Sequence, residues 1–156
     1  MQPRDWLPLG IHLFTYGSLA VPVVMQVVTG RTYRHTPARI HGFERFMLKG
    51  RVYPGITETG SGETDGRVYF DLDEDALARL DFFEADEYDR ACLRVELADE
   101  LDDEATTEAY VYVIPRGRAD LLSDERWDEA RFVSERLDGF LGDTRRWMAG
   151  FLGANQ

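Results

Sequence analysis

The chain has little that would cross-link it or tie it to a metal. Cys92 is the only cysteine among 156 residues, which excludes an internal disulfide and a cysteine metal cluster. The three histidines, His12, His35 and His41, do not fall at the i, i+4 spacing of a helical metal site, so neither a metal nor a cofactor is expected. No apolar run approaches the roughly 20 residues that span a bilayer. Met1 to Gly10 lacks the basic start and apolar core of a secretory signal, and the cytoplasm is the expected compartment. Positive charge is scarce too: 18 basic residues stand against 29 acidic ones, a net charge of −11, and Lys49 is the sole lysine. Phosphate contacts need a surplus of Lys and Arg, so a nucleic-acid partner is disfavoured. The carboxylate surplus argues equally against docking on an anionic membrane.

What is present suits one domain over residues 1–156, with 44% hydrophobic and 12% aromatic residues to build a core. Ile11 and Leu13 belong to a first strand, which Tyr16-Gly17-Ser18-Leu19 breaks. Pro22 to Val28 is apolar throughout and fits a short buried helix, with Pro22 in its first turn, or another strand. Ala38 to Leu48 reads as a strand with a glycine bend, and Arg51 to Tyr53 as a short strand stopped by Pro54-Gly55. Gly60 to Gly66 reads as a flexible turn before a strand at Arg67 to Phe70. Asp73 is placed to cap a helix from Glu74 to about Glu84, in which Ala76, Leu77, Leu80 and Phe83 recur at helical spacing. Leu93, Val95 and Leu97 alternate with charged residues as in a half-buried strand. Asp99 to Glu104 reads as an acidic hairpin loop, and Thr106 to Ile114 as the last strand, with Tyr110 and Tyr112 on one face. A long helix is expected from Ser123 and a short one around Trp147, Met148 and Phe151. Many strands with one helix among the later ones indicate an α+β fold around a curved or barrel-like mixed sheet.

Most familiar catalytic patterns are missing. Gly60 to Gly66 lacks the Gly-Lys-Ser/Thr ending of a phosphate loop. Asp71 to Asp75 opens like a calcium loop, but Ala76 stands where glycine is required and Phe82 where a glutamate belongs. No Gly-x-Ser-x-Gly elbow surrounds Ser18, and Cys92, although flanked by Arg90 and Arg94, reads as a plain strand cysteine. Two stretches stand out instead. A strand ending at Gly17 and running toward a helix start presents backbone N–H groups that suit a carboxylate or a developing oxyanion. Glu84 falls one turn beyond Leu80, on the apolar side of its helix, where a carboxylate is either paired with an arginine or functional. Burial there would raise its pKa and make it a better base near neutral pH.

Together these stretches resemble the γ-glutamylcyclotransferase-like family. Tyr16-Gly17-Ser18-Leu19 is similar to that family's substrate loop, and Leu80-Asp81-x-x-Glu84-x-x-x-Tyr88-x-Arg90 to its second motif, in which the glutamate is catalytic. Val52 to Ile56 and Asp65 to Tyr69 resemble its central strands, and Thr107 to Val113 its last one. Ala85 departs from the pattern, which usually carries glycine after the glutamate. The resemblance implies a small mixed β-barrel flanked by helices, with the site at its mouth. It implies a cofactor-independent enzyme that cuts a small-molecule γ-glutamyl amide without water, releasing 5-oxoproline and a free amine. Glu84 would be the general acid/base and Tyr16, Gly17, Ser18 and Leu19 the substrate-binding turn. An amide hydrolase and a non-catalytic binding barrel remain the alternatives on this scaffold. Neither the amine of the substrate nor an oligomeric state is specified by the sequence. A base shielded by Phe83 and Tyr88 would place the acid limb of kcat/KM at roughly 5.5–6.5, unless Arg90 pairs with it.

Overall fold

The computed structural model describes residues 10–98 and 105–154. Five strands close into a barrel in the order β1-β3-β2-β4-β5. They are β1 (Ile11–Thr15), β2 (His35–Met47), β3 (Pro54–Leu72), β4 (Asp89–Leu97) and β5 (Thr106–Val113). Every pairing is antiparallel except the closing one, where Leu13 of β1 lies parallel to Tyr110 of β5. The sheet is therefore mixed, as the sequence pattern implies. The helices are α1 (Pro22–Thr29), α2 (Glu74–Glu84), α3 (Glu129–Glu135) and α4 (Leu137–Ala154). None among the described residues is long and apolar enough to cross a membrane.

Strand alternation sorts the core into two layers. Phe14, Val68, Val95 and Val111 meet inside the barrel with Ile40 and Ile56. Their neighbours Leu13, Tyr69 and Tyr112 point the other way, into a second cluster formed with Val24, Met25 and Val28 of α1, Leu80 of α2 and Met148 of α4. Burying both faces of β1 is what holds the turn after it in place. Pro22 at the start of α1 fixes the entry angle of that helix, and Gly30 closes it in the left-handed conformation at φ 80°.

Four expectations are corrected. Arg51 to Tyr53 is not a strand; the strand begins at Pro54. Gly60 to Gly66 is not a turn, because β3 continues through it for 19 residues in all. The irregularity that glycine signals is real but local: Phe43 pairs with Glu58 and His41 with Glu63, so residues 59–62 bulge out of register, with Gly60 and Gly62 at positive φ. The two C-terminal helices come in the reverse order of length, 7 residues in α3 and then 18 in α4, and Trp127 precedes both. Asp128 caps α3 by accepting from the Ala130 N–H, so the helix starts later than the apolar periodicity does. The ambiguous apolar stretch Pro22 to Val28 is a helix. The acidic loop expected at Asp99 to Glu104 lies outside the described residues.

Candidate active site

The turn after β1 and the end of α2 face one another across a cavity of about 480 Å³. The first wall is the turn. Residues Ser18–Ala20 form a single 3-10 turn, closed by the Ala20 N–H donating to the Gly17 carbonyl at 2.9 Å. The amides of Gly17, Ser18 and Leu19 precede that first helical bond, so they are the donors a helix start leaves over. Three contacts fix the turn from behind. Arg45 Nη1 donates to the Tyr16 carbonyl at 2.6 Å, the Tyr16 hydroxyl to the Tyr112 carbonyl at 2.5 Å, and the Tyr69 hydroxyl to the Leu19 carbonyl at 2.8 Å. With the Tyr16 carbonyl held by Arg45, the planar trans peptide directs the Gly17 N–H the opposite way.

Gly17 is required by close packing. Its φ of −132° is available to any residue, but a Cβ there would stand 2.7 Å from the ring of Pro54, a contact no folded chain tolerates without movement. Tyr16, Ser18 and Leu19 are buried, and Leu19 packs its side chain into the core beside α1. Their contribution to the cavity is therefore chiefly backbone. All four residues of the sequence-derived binding turn line the same cavity as Glu84.

The second wall is the end of α2. Asp73 caps this helix by accepting from the Ala76 N–H at 2.8 Å, and Glu74 and Asp75 complement its dipole. That phase puts fully buried Leu80 in the core and Glu84 one turn further, half-buried against the cavity. Removal from water pushes the Glu84 carboxyl up to about 8, with smaller pushes from the charges of Glu87 and Asp81. Among the described residues no cation opposes this. Arg90, the partner the motif offers, is taken by Asp81, whose Oδ2 it meets at 2.8 Å while Tyr112 donates its hydroxyl to Oδ1 at 2.7 Å. Glu84 in turn helps hold the hydroxyls of Tyr16 and Tyr88 protonated, after burial itself, by raising their pKa well above the usual phenol value. Tyr88 donates to the Pro54 carbonyl at 2.8 Å, pinning the strand start that Gly17 packs against.

Ala85 ends α2 at φ 57°, ψ −152°, a conformation that glycine adopts freely and an L-residue adopts only under strain. The helix stops at once, and the chain enters the 3-10 turn Ala85–Glu87. Glu84 closes a helix that must turn sharply toward β4, and a glycine at position 85 would meet that conformation without strain.

The sequence reading did not include the rest of the cavity. Arg51, Val52 and Tyr53 form its lip, with Arg51 Nη2 lying 3.6 Å from Glu87 Oε1. Phe140, Asp143, Thr144 and Trp147 come from α4. Their i, i+3, i+4, i+7 spacing marks one helix face, a signal hidden by breaking the helix in the wrong place.

A closed five-stranded barrel flanked by helices, with the half-buried Glu84 carboxylate and the turn after β1 lining one cavity, defines the class structurally. The comparisons with known proteins name the class: residues 13–129 match the family described as γ-glutamyl cyclotransferase, AIG2-like, and the chain belongs to that family. It is 37% identical over 136 residues to AIG2-like protein C of Arabidopsis thaliana, covering 87% of this chain and 77% of that one. A solution structure of another Arabidopsis thaliana protein superposes with a TM-score of 0.64 at 29% identity, over 95% of this chain and 96% of the other. A yeast γ-glutamyl cyclotransferase specific to glutathione shares the fold, with a TM-score of 0.58 at 13% identity over 91% and 96% of the two chains.

Proposed function

We propose that this protein is a cyclotransferase that converts a γ-glutamyl amide into 5-oxoproline and a free amine, with Glu84 as general acid and base. The observation that carries this reading is the Glu84 carboxyl, pushed up to about 8 beside the Gly17–Leu19 amides in one cavity. A model α-amino group titrates near about 7.7–8.0. The two groups are matched, so a proton passes between them at little cost.

The reaction needs no nucleophile from the protein. Curled in the cavity, the substrate brings its own α-nitrogen to the γ-carbonyl, and such positioning is worth about 7–11 kcal/mol. Glu84 in its ionised form takes a proton from the α-ammonium group. The freed lone pair attacks the γ-carbon, a C–N bond forms, and the carbonyl oxygen becomes an oxyanion that backbone N–H groups stabilise. Glu84 delivers protons to the departing nitrogen as the old C–N bond breaks. Two protons move in all from the α-nitrogen to the leaving nitrogen, so the ring keeps one N–H and the amine departs as an ammonium ion. The turn at Tyr16, Gly17, Ser18 and Leu19 binds the glutamyl half through its amides.

The test is a panel of γ-glutamyl amides incubated with the protein and read by mass spectrometry. Formation of 5-oxoproline is expected. Free glutamate in its place would identify an amide hydrolase, and no turnover with retained binding would identify a binding barrel.

A further inference from the structure

Helix α2 carries a second carboxylate beside Glu84 that the reaction proposed above does not use. Asp81 joins α2 to two strands: Arg90 of β4 donates to its Oδ2 at 2.8 Å and Tyr112 of β5 donates to its Oδ1 at 2.7 Å. Arg90 and Tyr112 face one another in the β4–β5 ladder, and the guanidinium also lies over the ring of Tyr110, 4.9 Å from its centre. Both oxygens of Asp81 are thereby occupied, and the only cation in the stretch from Leu80 to Arg90 is held on two sides.

The buried Tyr112 hydroxyl marks how near the alternative partner is. Burial and the bond to Asp81 raise its pKa, Glu84 raises it further and Arg90 lowers it, so one hydroxyl lies within electrostatic reach of both carboxylates and of the guanidinium. Asp81 and Glu84 stand at i, i+3 on α2, which puts them on one side of the helix. A long guanidinium released by the first is therefore within range of the second. Among the described residues the other groups around Glu84 do not supply a counter-charge. The hydroxyls of Tyr16, Tyr53 and Tyr88 are kept protonated by burial and, in smaller part, by Glu84 itself. Arg51 at the lip lies beside Glu87, 3.6 Å away, and Asp143 on α4 pairs with Arg146.

We propose that Asp81 is a positioning residue: by holding Arg90 on the β4 side, together with Tyr112, it keeps Glu84 without a counter-ion and so keeps it an effective base. This assignment rests on the cyclotransferase reading and deepens it. An opposite charge within about 4–6 Å lowers a carboxyl pKa by about 1–3 units, and a carboxylate so paired accepts a proton less readily.

A double-mutant cycle of Asp81→Asn and Arg90→Gln decides the matter, read by carbon NMR titration of the Glu84 carboxyl and by the acid limb of kcat/KM. Asparagine keeps an acceptor for the Tyr112 hydroxyl and removes the charge that holds Arg90. Both midpoints are expected to move down by about 1–3 pH units in Asp81→Asn. Loss of the repulsion from Asp81 acts in the same direction, and the cycle separates the two causes. Arg90→Gln leaves the Glu84 midpoint nearly in place in the wild-type background and raises it by about one pH unit or more in the Asp81→Asn background. Equal shifts in the two backgrounds, or no shift in Asp81→Asn, overturn the proposal. Asp81→Ser, which also offers Tyr112 an uncharged acceptor, serves in the same cycle if the asparagine variant does not fold. The NMR titration needs no turnover. If no γ-glutamyl amide yields 5-oxoproline, the cyclotransferase reading fails, and the titration still judges whether Asp81 withholds Arg90 from Glu84.

Discussion

On the outer face of β2, β3 and β4 the carboxylates stand beside basic side chains. Arg39 reaches Glu63 at 3.2 Å and Asp65 at 2.6 Å, and His41 meets Glu96 at 2.7 Å. All of these side chains are substantially exposed, and such pairs contribute about 0–1 kcal/mol each. At the barrel mouth the pattern is inverted. Asp81 takes Arg90 and the Tyr112 hydroxyl for itself, and Glu84, one turn along the same helix, is left in an aromatic-walled cavity with no cation paired to it among the described residues. The difference teaches that an acidic surplus of this size is not uniform in kind. Among the described residues much of it is solvated decoration, and one half-buried carboxylate is kept away from counter-charge.

Exchanging one carboxylate on each side tests that contrast most strongly. If the proposed function holds, Glu84→Gln keeps the shape, removes the base and lowers 5-oxoproline formation by about 10²–10⁴-fold. Glu63→Gln on the outer face leaves turnover within about twofold, since exposed pairs carry little free energy. Circular dichroism and thermal melts confirm that both variants fold. Comparable losses in the two, or none in either, would erase the distinction.

Titration sharpens the same comparison. With Glu84 pushed up to about 8, the acid limb of kcat/KM moves to the vicinity of pH 8, above the 5.5–6.5 that shielding by Phe83 and Tyr88 alone suggests, because Glu87 and Asp81 add repulsion and Arg90 is engaged elsewhere. Below it the rate falls about tenfold per pH unit. In Glu84→Gln any remaining limb has the pKa of the substrate's own amine, which NMR titration of the free substrate measures. Stability follows with a definite sign. Between the unfolded value near 4.3 and the folded value the native state holds a proton that the unfolded state has released, so wild-type stability falls as pH rises through this window. The advantage of Glu84→Gln over wild type therefore grows with pH, by at most about 1.4 kcal/mol per unit. Urea melts at pH 5, 6.5 and 8 check it, and a constant difference would place the Glu84 titration elsewhere.

The sequence carried the barrel class because period-2 alternation at Leu93 to Leu97 and Tyr110 to Tyr112 reports a buried face directly. It carried Glu84 because helical phase places it beyond Leu80. It misled at Gly60 to Gly66, where four polar residues and three glycines look like a turn. Cross-strand pairing with β2 carries the backbone through, and only residues 59–62 leave the register. It could not show that α4 closes the cavity, because contacts between α4 and the lip at Tyr53 join residues some 90 positions apart. Nor could local pattern decide whether Arg90 neutralises Asp81 or Glu84, since both lie near it in the motif and only the β4 register chooses.

The turn opposite Glu84 gives a smaller effect. Gly17→Val drives a side chain into the Pro54 ring, where even the Cβ stands at 2.7 Å. Overpacking of this kind costs about 1–3 kcal/mol. Because Pro54 also accepts the Tyr88 hydroxyl, the displacement spreads to both walls of the cavity. A lower urea midpoint together with a raised KM is expected. A lower midpoint with unchanged KM would mean that the turn is structural and does not hold substrate.

The smallest effect is expected at Ala85, and it runs in the opposite direction. An L-residue held at φ 57°, ψ −152° stores about 1–3 kcal/mol of backbone strain. Ala85→Gly releases it and gives back about 0.5–1 kcal/mol through the greater freedom of glycine in the unfolded chain. The net gain is about 1 kcal/mol, read as a higher urea midpoint at unchanged slope. Activity should stay within about twofold, because the conformation that presents Glu84 is the one glycine prefers. Strand β4 supplies the control: Ala91 lies in an ordinary strand paired with Val111, and Ala91→Gly there should destabilise as strand glycines do. If both substitutions destabilise alike, the end of α2 carries no special strain, and the sharp turn after Glu84 is held by its surroundings without cost to the chain.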